Sequence, residues 1–218
     1  MIKLVTLDFD GTTADTMPTL EEIAVKLMVK HYELETEDAR SKYQITTGLP
    51  FEQQMEIIFP DNPNNKLVIS QFEKEKIESI FDLPLFKDAK STIDLLREKG
   101  YLVAISSSTT QPIIEKYCKE KELIVDQIVG YRMGFEKGKD HFDFIKEEFN
   151  LSTEELVYVG DSLKDCERAQ NNDIVFIGKM GMFSREDFNK ISKSKIVISD
   201  LEELLKIIPD LNQELDET

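Results

Sequence analysis

Tryptophan is absent from this 218-residue chain, histidine occurs twice, and cysteine appears only as Cys118 and Cys166. Two cysteines cannot supply a disulfide framework, so a reducing cytoplasm is the expected compartment. Basic residues are scarce as well: 27 Lys and Arg face 43 Asp and Glu, a formal net charge of 27 − 43 = −16. Binding to a phosphate backbone needs clustered Lys and Arg, so no nucleic-acid partner is expected. No apolar run approaches the roughly 18 residues of a membrane-spanning helix, which leaves no membrane partner either. The chain opens on the strand-like Ile2-Lys3-Leu4-Val5, with no expected room for a signal peptide. What is present, 40% hydrophobic and 32% charged residues, suits a globular enzyme rather than a disordered segment.

Residues 2–8 mix β-branched and apolar side chains and break at Gly11, which predicts a strand ending near Asp8 and a loop after it. Short apolar runs recur at 101–106, 126–129, 156–159, 174–177 and 196–198, several of them near-continuous, as expected of parallel strands covered on both faces. Helical patterns lie between them. Residues 89–99 place Ile93, Leu95 and Leu96 along one face and stop at Gly100; 111–121 and 142–149 behave similarly, and 201–208 closes the chain before a polar tail. Alternating strand and helix from Lys87 onward predicts an α/β fold, a Rossmann-like doubly wound parallel sheet. Residues 16–83 differ. Leu20, Ile23, Ala24, Leu27 and Met28 follow amphipathic helical spacing, and 37–43, 51–59 and 66–80 read as three more helices. The expected organisation is a core of 1–15 and 84–218 with a helical domain, 16–83, inserted after the first strand.

Four constellations fall at the C-terminal ends of predicted strands, where open α/β sheets place their sites. In Asp8-Phe9-Asp10-Gly11-Thr12, residues two apart project to one side, so two carboxylates share one space. Such a pair is costly unless a cation or a proton separates the charges. Ser107 follows Leu102–Ser106 among the hydroxyls Ser106, Ser108, Thr109 and Thr110; a hydroxyl and backbone N–H groups ahead of a helix can hold an anion. Lys137-Gly138-Lys139 is a basic stretch in an acidic chain. Gly160-Asp161-Ser162-Leu163-Lys164-Asp165 follows the 156–159 strand, with Asp161 either a metal ligand or a helix cap and Asp165 one turn further on.

Together, in this order, the four resemble the haloacid dehalogenase superfamily in its phosphatase branch, over nearly the whole chain. The inserted helices resemble that family's α-helical cap. The resemblance implies a Mg²⁺-dependent phosphatase acting on a small phosphorylated metabolite. Asp8 would be the nucleophile that forms an aspartyl-phosphate, and Asp10 the acid–base residue. Mg²⁺, a hard cation suited to oxygen ligands, would be held by Asp8, the Asp10 carbonyl and Asp161, with Asp165 supporting. Ser107 and a lysine would hold the phosphoryl oxygens, with Ser108 beside them.

The branch commonly has proline after its lysine, whereas Gly138 follows Lys137 here; Lys137 is preferred over the neighbouring Lys139. Asp10 disfavours the dehalogenase and phosphonate-hydrolase branches, which lack an acid there. Sugar-phosphate mutases resemble the chain at Asp15-Thr16 but carry His and Arg where it has Leu20 and Phe51. Mutase or phosphotransferase activity is the alternative reading, and a catalytically silent regulatory protein ranks last. Substrate choice is expected from the inserted helices, with Thr46, Thr47 and Gly48 as candidates. His31 is expected to be exposed, and His141 to cap a helix or lie on the surface.

Overall fold

A computed structural model describes residues 1–216. Leu4, Val5 and Leu7 are fully buried in the first strand, β1 (Leu4–Asp8), because neighbours cover both faces of a central parallel strand. The others are β2 (Leu102–Thr110), β3 (Gln127–Tyr131), β4 (Leu156–Gly160), β5 (Val175–Lys179) and β6 (Ile196–Ile198). All pair in parallel in the order β3-β2-β1-β4-β5-β6. The chain winds outward from β1 on one side through β2 and β3, then restarts on the other with β4. The switch point therefore lies between β1 and β4, and the crevice beyond the carboxyl ends of such strands is where open sheets bind ligands.

The helices are α1 (Met17–Tyr32), α2 (Thr36–Thr46), α3 (Phe51–Ile58), α4 (Asn65–Ile80), α5 (Ala89–Glu98), α6 (Gln111–Glu120), α7 (Lys139–Phe149), α8 (Leu163–Gln170), α9 (Arg185–Ile191) and α10 (Leu204–Asp216). By its contacts the chain divides into two compact units, Met1–Ala14 with the chain from Leu85 on, and Asp15–Pro84. The second unit contains α1–α4 and buries Leu20, Ile23, Ala24, Leu27 and Met28 along α1. Phe51 stacks on Phe72 at 3.8 Å between ring centres, joining α3 to α4. The first unit's core runs through Phe142, Tyr158, Phe176 and Phe188, which pack edge-on or tilted.

Several elements depart from expectation. On α5, Ile93 and Leu96 are buried but Leu95 is 41% exposed, since it falls off the sheet-facing stripe. β2 runs on to Thr110 with its pairing to β3 shifted after Ser106, so the hydroxyl-rich end is an irregular strand rather than a loop. The C-terminal helix passes through Pro209 to Asp216 instead of stopping near residue 208. It is tied down by Asn212, whose side chain accepts from Ile2 N–H and donates to Ile2 O. His31 is half-buried, its Nε2 3.0 Å from Gln71 Oε1.

Candidate active site

Three carboxylates converge at the switch point: Asp8 ends β1, Asp161 follows β4, and Asp165 lies on the first turn of α8. One oxygen from each can be chosen so that all lie within 4.8 Å, and all three residues are buried. Local chain chemistry explains the convergence. Ser162 caps α8 and forms a capping box with Asp165, which holds the Asp165 carboxylate back over the strand end. Gly160 makes room for it: a methyl group there would stand 2.6 Å from Asp165 Cβ. The cap is Ser162, so Asp161 is left out of the helix-start hydrogen bonding.

Of the two lysines, Lys137 enters this cluster and Lys139 does not. Lys137 Nζ lies 2.6 Å from Asp8 Oδ1 and 2.7 Å from Asp165 Oδ1, its side chain 5% exposed. Lys139 has a side chain 74% exposed and pairs with Asp143 one turn along α7. Gly138 turns the chain between them at φ 118°, a backbone that proline, fixed near −65°, cannot adopt. That accounts for the missing proline.

Asp165 is saturated. Oδ1 accepts from Tyr158 Oη at 2.9 Å and from Arg168 at 3.4 Å besides Lys137, while Oδ2 accepts from Ser162 Oγ at 2.6 Å. Burial alone would raise its pKa, but the charges of Lys137 and Arg168 hold it below the usual range. Burial pushes Asp8 up to about 7 against the pull of Lys137, with the Asp165 charge adding to the rise. Burial also drives Asp161 well above the usual carboxylate range, helped by the charges of Asp8 and Asp165. Ionising Asp8 and Asp161 together therefore asks for more positive charge than Lys137 supplies. An all-oxygen donor set with that demand fits a hard divalent cation.

Asp10 leaves β1 on a loop that turns at Gly11 with φ 80°, and Oδ2 accepts from Thr109 Oγ1 at 3.0 Å. Thr13 Oγ1 donates to Asp8 O at 2.7 Å, tightening the same loop. Ser107 is buried, its Oγ accepting from Thr109 N–H at 2.9 Å. Ser108 Oγ and Thr12 Oγ1 are buried with no hydrogen-bond partner among the described residues.

In the second unit Thr46 and Thr47 are buried and their hydroxyls serve its own helix end. Thr46 Oγ1 bonds to Tyr43 O and Gln54 Oε1, and Thr47 Oγ1 to Tyr43 O, each at 3.1 Å. Gly48 ends that turn at φ 94°.

Sequence reasoning missed Tyr158 and Arg168, which bond to Asp165, and treated Thr109 only as a neighbour. It also put His141 at a cap or on the surface, whereas the residue is fully buried. α7 begins at Lys139, which turns His141 inward with Phe142 and Ile145 and sets Nδ1 2.9 Å from Ser106 Oγ.

A family model described as haloacid dehalogenase-like hydrolase matches residues 5–179. No curated protein matches in sequence. Similar solved structures include a haloacid dehalogenase-like family hydrolase of Streptococcus pneumoniae, with TM-score 0.80 and 17% identity over 95% of this chain and 98% of that one. A predicted phosphatase of Clostridium acetobutylicum superposes with TM-score 0.80 and 18% identity over 96% and 99%. CbbY of Rhodobacter sphaeroides, in complex with phosphate, superposes with TM-score 0.73 and 17% identity over 94% and 96%. At these identities the likeness speaks to the fold.

Proposed function

We propose, from the premise that this chain belongs to the haloacid dehalogenase-like hydrolase family, that it is a Mg²⁺-dependent phosphatase of a small phosphorylated metabolite. The observation that carries the reading is the bridge from Lys137 to Asp8 and Asp165, with Asp161 completing the cluster. Phosphoryl transfer needs an aligned nucleophile, positive charge on the equatorial oxygens and a proton for the leaving alcohol.

An Asp8 carboxylate oxygen attacks phosphorus while the bond to the ester oxygen breaks, and Asp10 gives its proton to that oxygen. Asp10, now a carboxylate, takes a proton from water as the water oxygen attacks the same phosphorus. The acyl-phosphate bond breaks, releasing phosphate and restoring Asp8. Lys137 spends two N–H donors on Asp8 and Asp165, leaving a third for a phosphoryl oxygen. Ser107 and Ser108 supply hydroxyls at the adjacent strand end. Mg²⁺ would be held by Asp8, the Asp10 carbonyl and Asp161, with Asp165 supporting through Lys137 and Ser162, and when bound it neutralises phosphoryl charge. The phosphate bound to CbbY supports this reading by likeness. Choice of leaving group is assigned to the inserted unit, with Thr46, Thr47 and Gly48 as the residues to vary.

The test is phosphate release from a panel of phosphomonoesters with Mg²⁺ and with EDTA. Turnover should require the metal and vanish in Asp8→Asn. Lys137→Ala should lose on the order of 100-fold in kcat, the scale of a lost charge-stabilising donor, while Lys139→Ala stays near wild type. Full activity in Asp8→Asn would overturn the nucleophile. Interconversion of sugar-phosphate isomers without phosphate release would favour the mutase reading.

A further inference from the structure

Lys179, the last residue of β5, is 3% exposed. Its ammonium donates to Gly11 O at 3.2 Å and stands 3.5 Å from the centre of the Phe86 ring. Burying an ammonium is expensive, and a methionine of similar length would pack on Phe86 without that cost. The Gly11 carbonyl that it holds gives the charge a role. Gly11 follows Asp10 directly, and its N–H donates to Ala14 O at 2.9 Å, so this residue is gripped through both N–H and C=O. Phe86, in turn, donates its N–H to Thr13 O at 3.1 Å. The buried cation thus fastens Gly11, in the loop from Phe9 to Thr13, to the end of β5, two positions from β1 in the sheet.

We infer that Lys179 is a positioning residue for proton transfer: by holding the Gly11 carbonyl it fixes the loop that presents Asp10 to the leaving oxygen. The inference rests on the phosphatase reading and on the acid–base role of Asp10.

The experiment compares kcat/KM for 4-nitrophenyl phosphate, whose leaving group needs little protonation, with phenyl phosphate, whose leaving group needs much more. Wild type, Lys179→Met, Lys179→Gln, Lys179→Arg and Asp10→Asn are measured with Mg²⁺. General acid catalysis contributes on the order of 10²–10⁴-fold. Lys179→Met should lose at least about tenfold on phenyl phosphate and under about threefold on 4-nitrophenyl phosphate, a fraction of that contribution. Lys179→Arg, which keeps cation and donor, should recover most of the loss. A merely structural role would lower both substrates alike, and equal losses, or none, would overturn the inference. Should Lys179→Met not fold, Lys179→Gln takes its place with the same criterion. Selective loss in Asp10→Asn without selective loss at Lys179 sinks this inference alone. Absence of turnover in the wild type sinks the phosphatase reading and this inference with it.

Discussion

Burial, helped by the nearby Lys137 charge, pushes the His141 imidazole down to about 3, so it stays neutral in the fold. An unfolded histidine protonates near 6.5. The folded pKa is therefore the lower one, and stability is full above about pH 6.5 and falls as the pH drops towards the folded value. Between pH 7 and pH 5 this group alone should remove about 2 kcal/mol of stability. Chemical denaturation at the two pH values checks it: His141→Gln should show a smaller acid loss than wild type, and an equal loss would refute the assignment. His141 also illustrates what single residues hide. Its neighbours Lys139 and Asp140 are exposed and read as a solvated face, yet a helix start two residues earlier rotates the ring onto Ser106. Lys179 is the same case: nothing in Ile177-Gly178-Lys179 announces a contact with Gly11, 168 positions earlier.

Among the elements, β4 and α8 form the joint on which the carboxylates depend. Gly160→Ala should force Asp165 away from the strand end, since a methyl would meet its Cβ and carboxyl carbon at 2.6 and 2.8 Å. Overpacking of this kind costs about 1–3 kcal/mol, and with Lys137 losing an anchor, kcat should fall as well. Gly181→Ala, where a methyl meets nothing within 4 Å, is the control. Thermal melts and turnover of the two variants decide it; indistinguishable variants would argue against the joint. The strands and the helical insert were readable because apolar periodicity records burial against a sheet or a helical neighbour. So was the convergence of Asp8 with Asp161, because parallel strands bring their carboxyl ends to one edge. Less readable was α10, which continues past Pro209: Asn212 holds it to the backbone of Ile2, a tertiary bond that no local pattern encodes. The choice between Lys137 and Lys139 was open for a related reason. Adjacent lysines look alike until the backbone at Gly138 sends one inward and the other to solvent.

At the scale of the molecule, a net charge of −16 gives no general attraction for a phosphate ester, so recruitment has to be local. Buried Lys137 and Lys179 both stand in the core unit. That unit also encloses both thiols. Cys118 is 1% exposed, with its pKa pushed up by burial to about 12, and Cys166 is fully buried. Because the thiolate is the reactive form, iodoacetamide at pH 8 should label neither in native buffer and both in guanidinium. Rapid native labelling would show that the core opens far more easily than its packing implies. Finally, the chain leaves the core at Ala14 and returns at Leu85, two residues paired across an antiparallel bridge. Ala14 also pairs with Asp10 and accepts from Gly11 N–H. One crossing of the chain, at Ala14, is thus tied directly to the loop that carries Asp10. A change to the chain at Ala14 or Leu85 would therefore be felt in the loop of Asp10 as well, because one residue serves both the crossing and that loop.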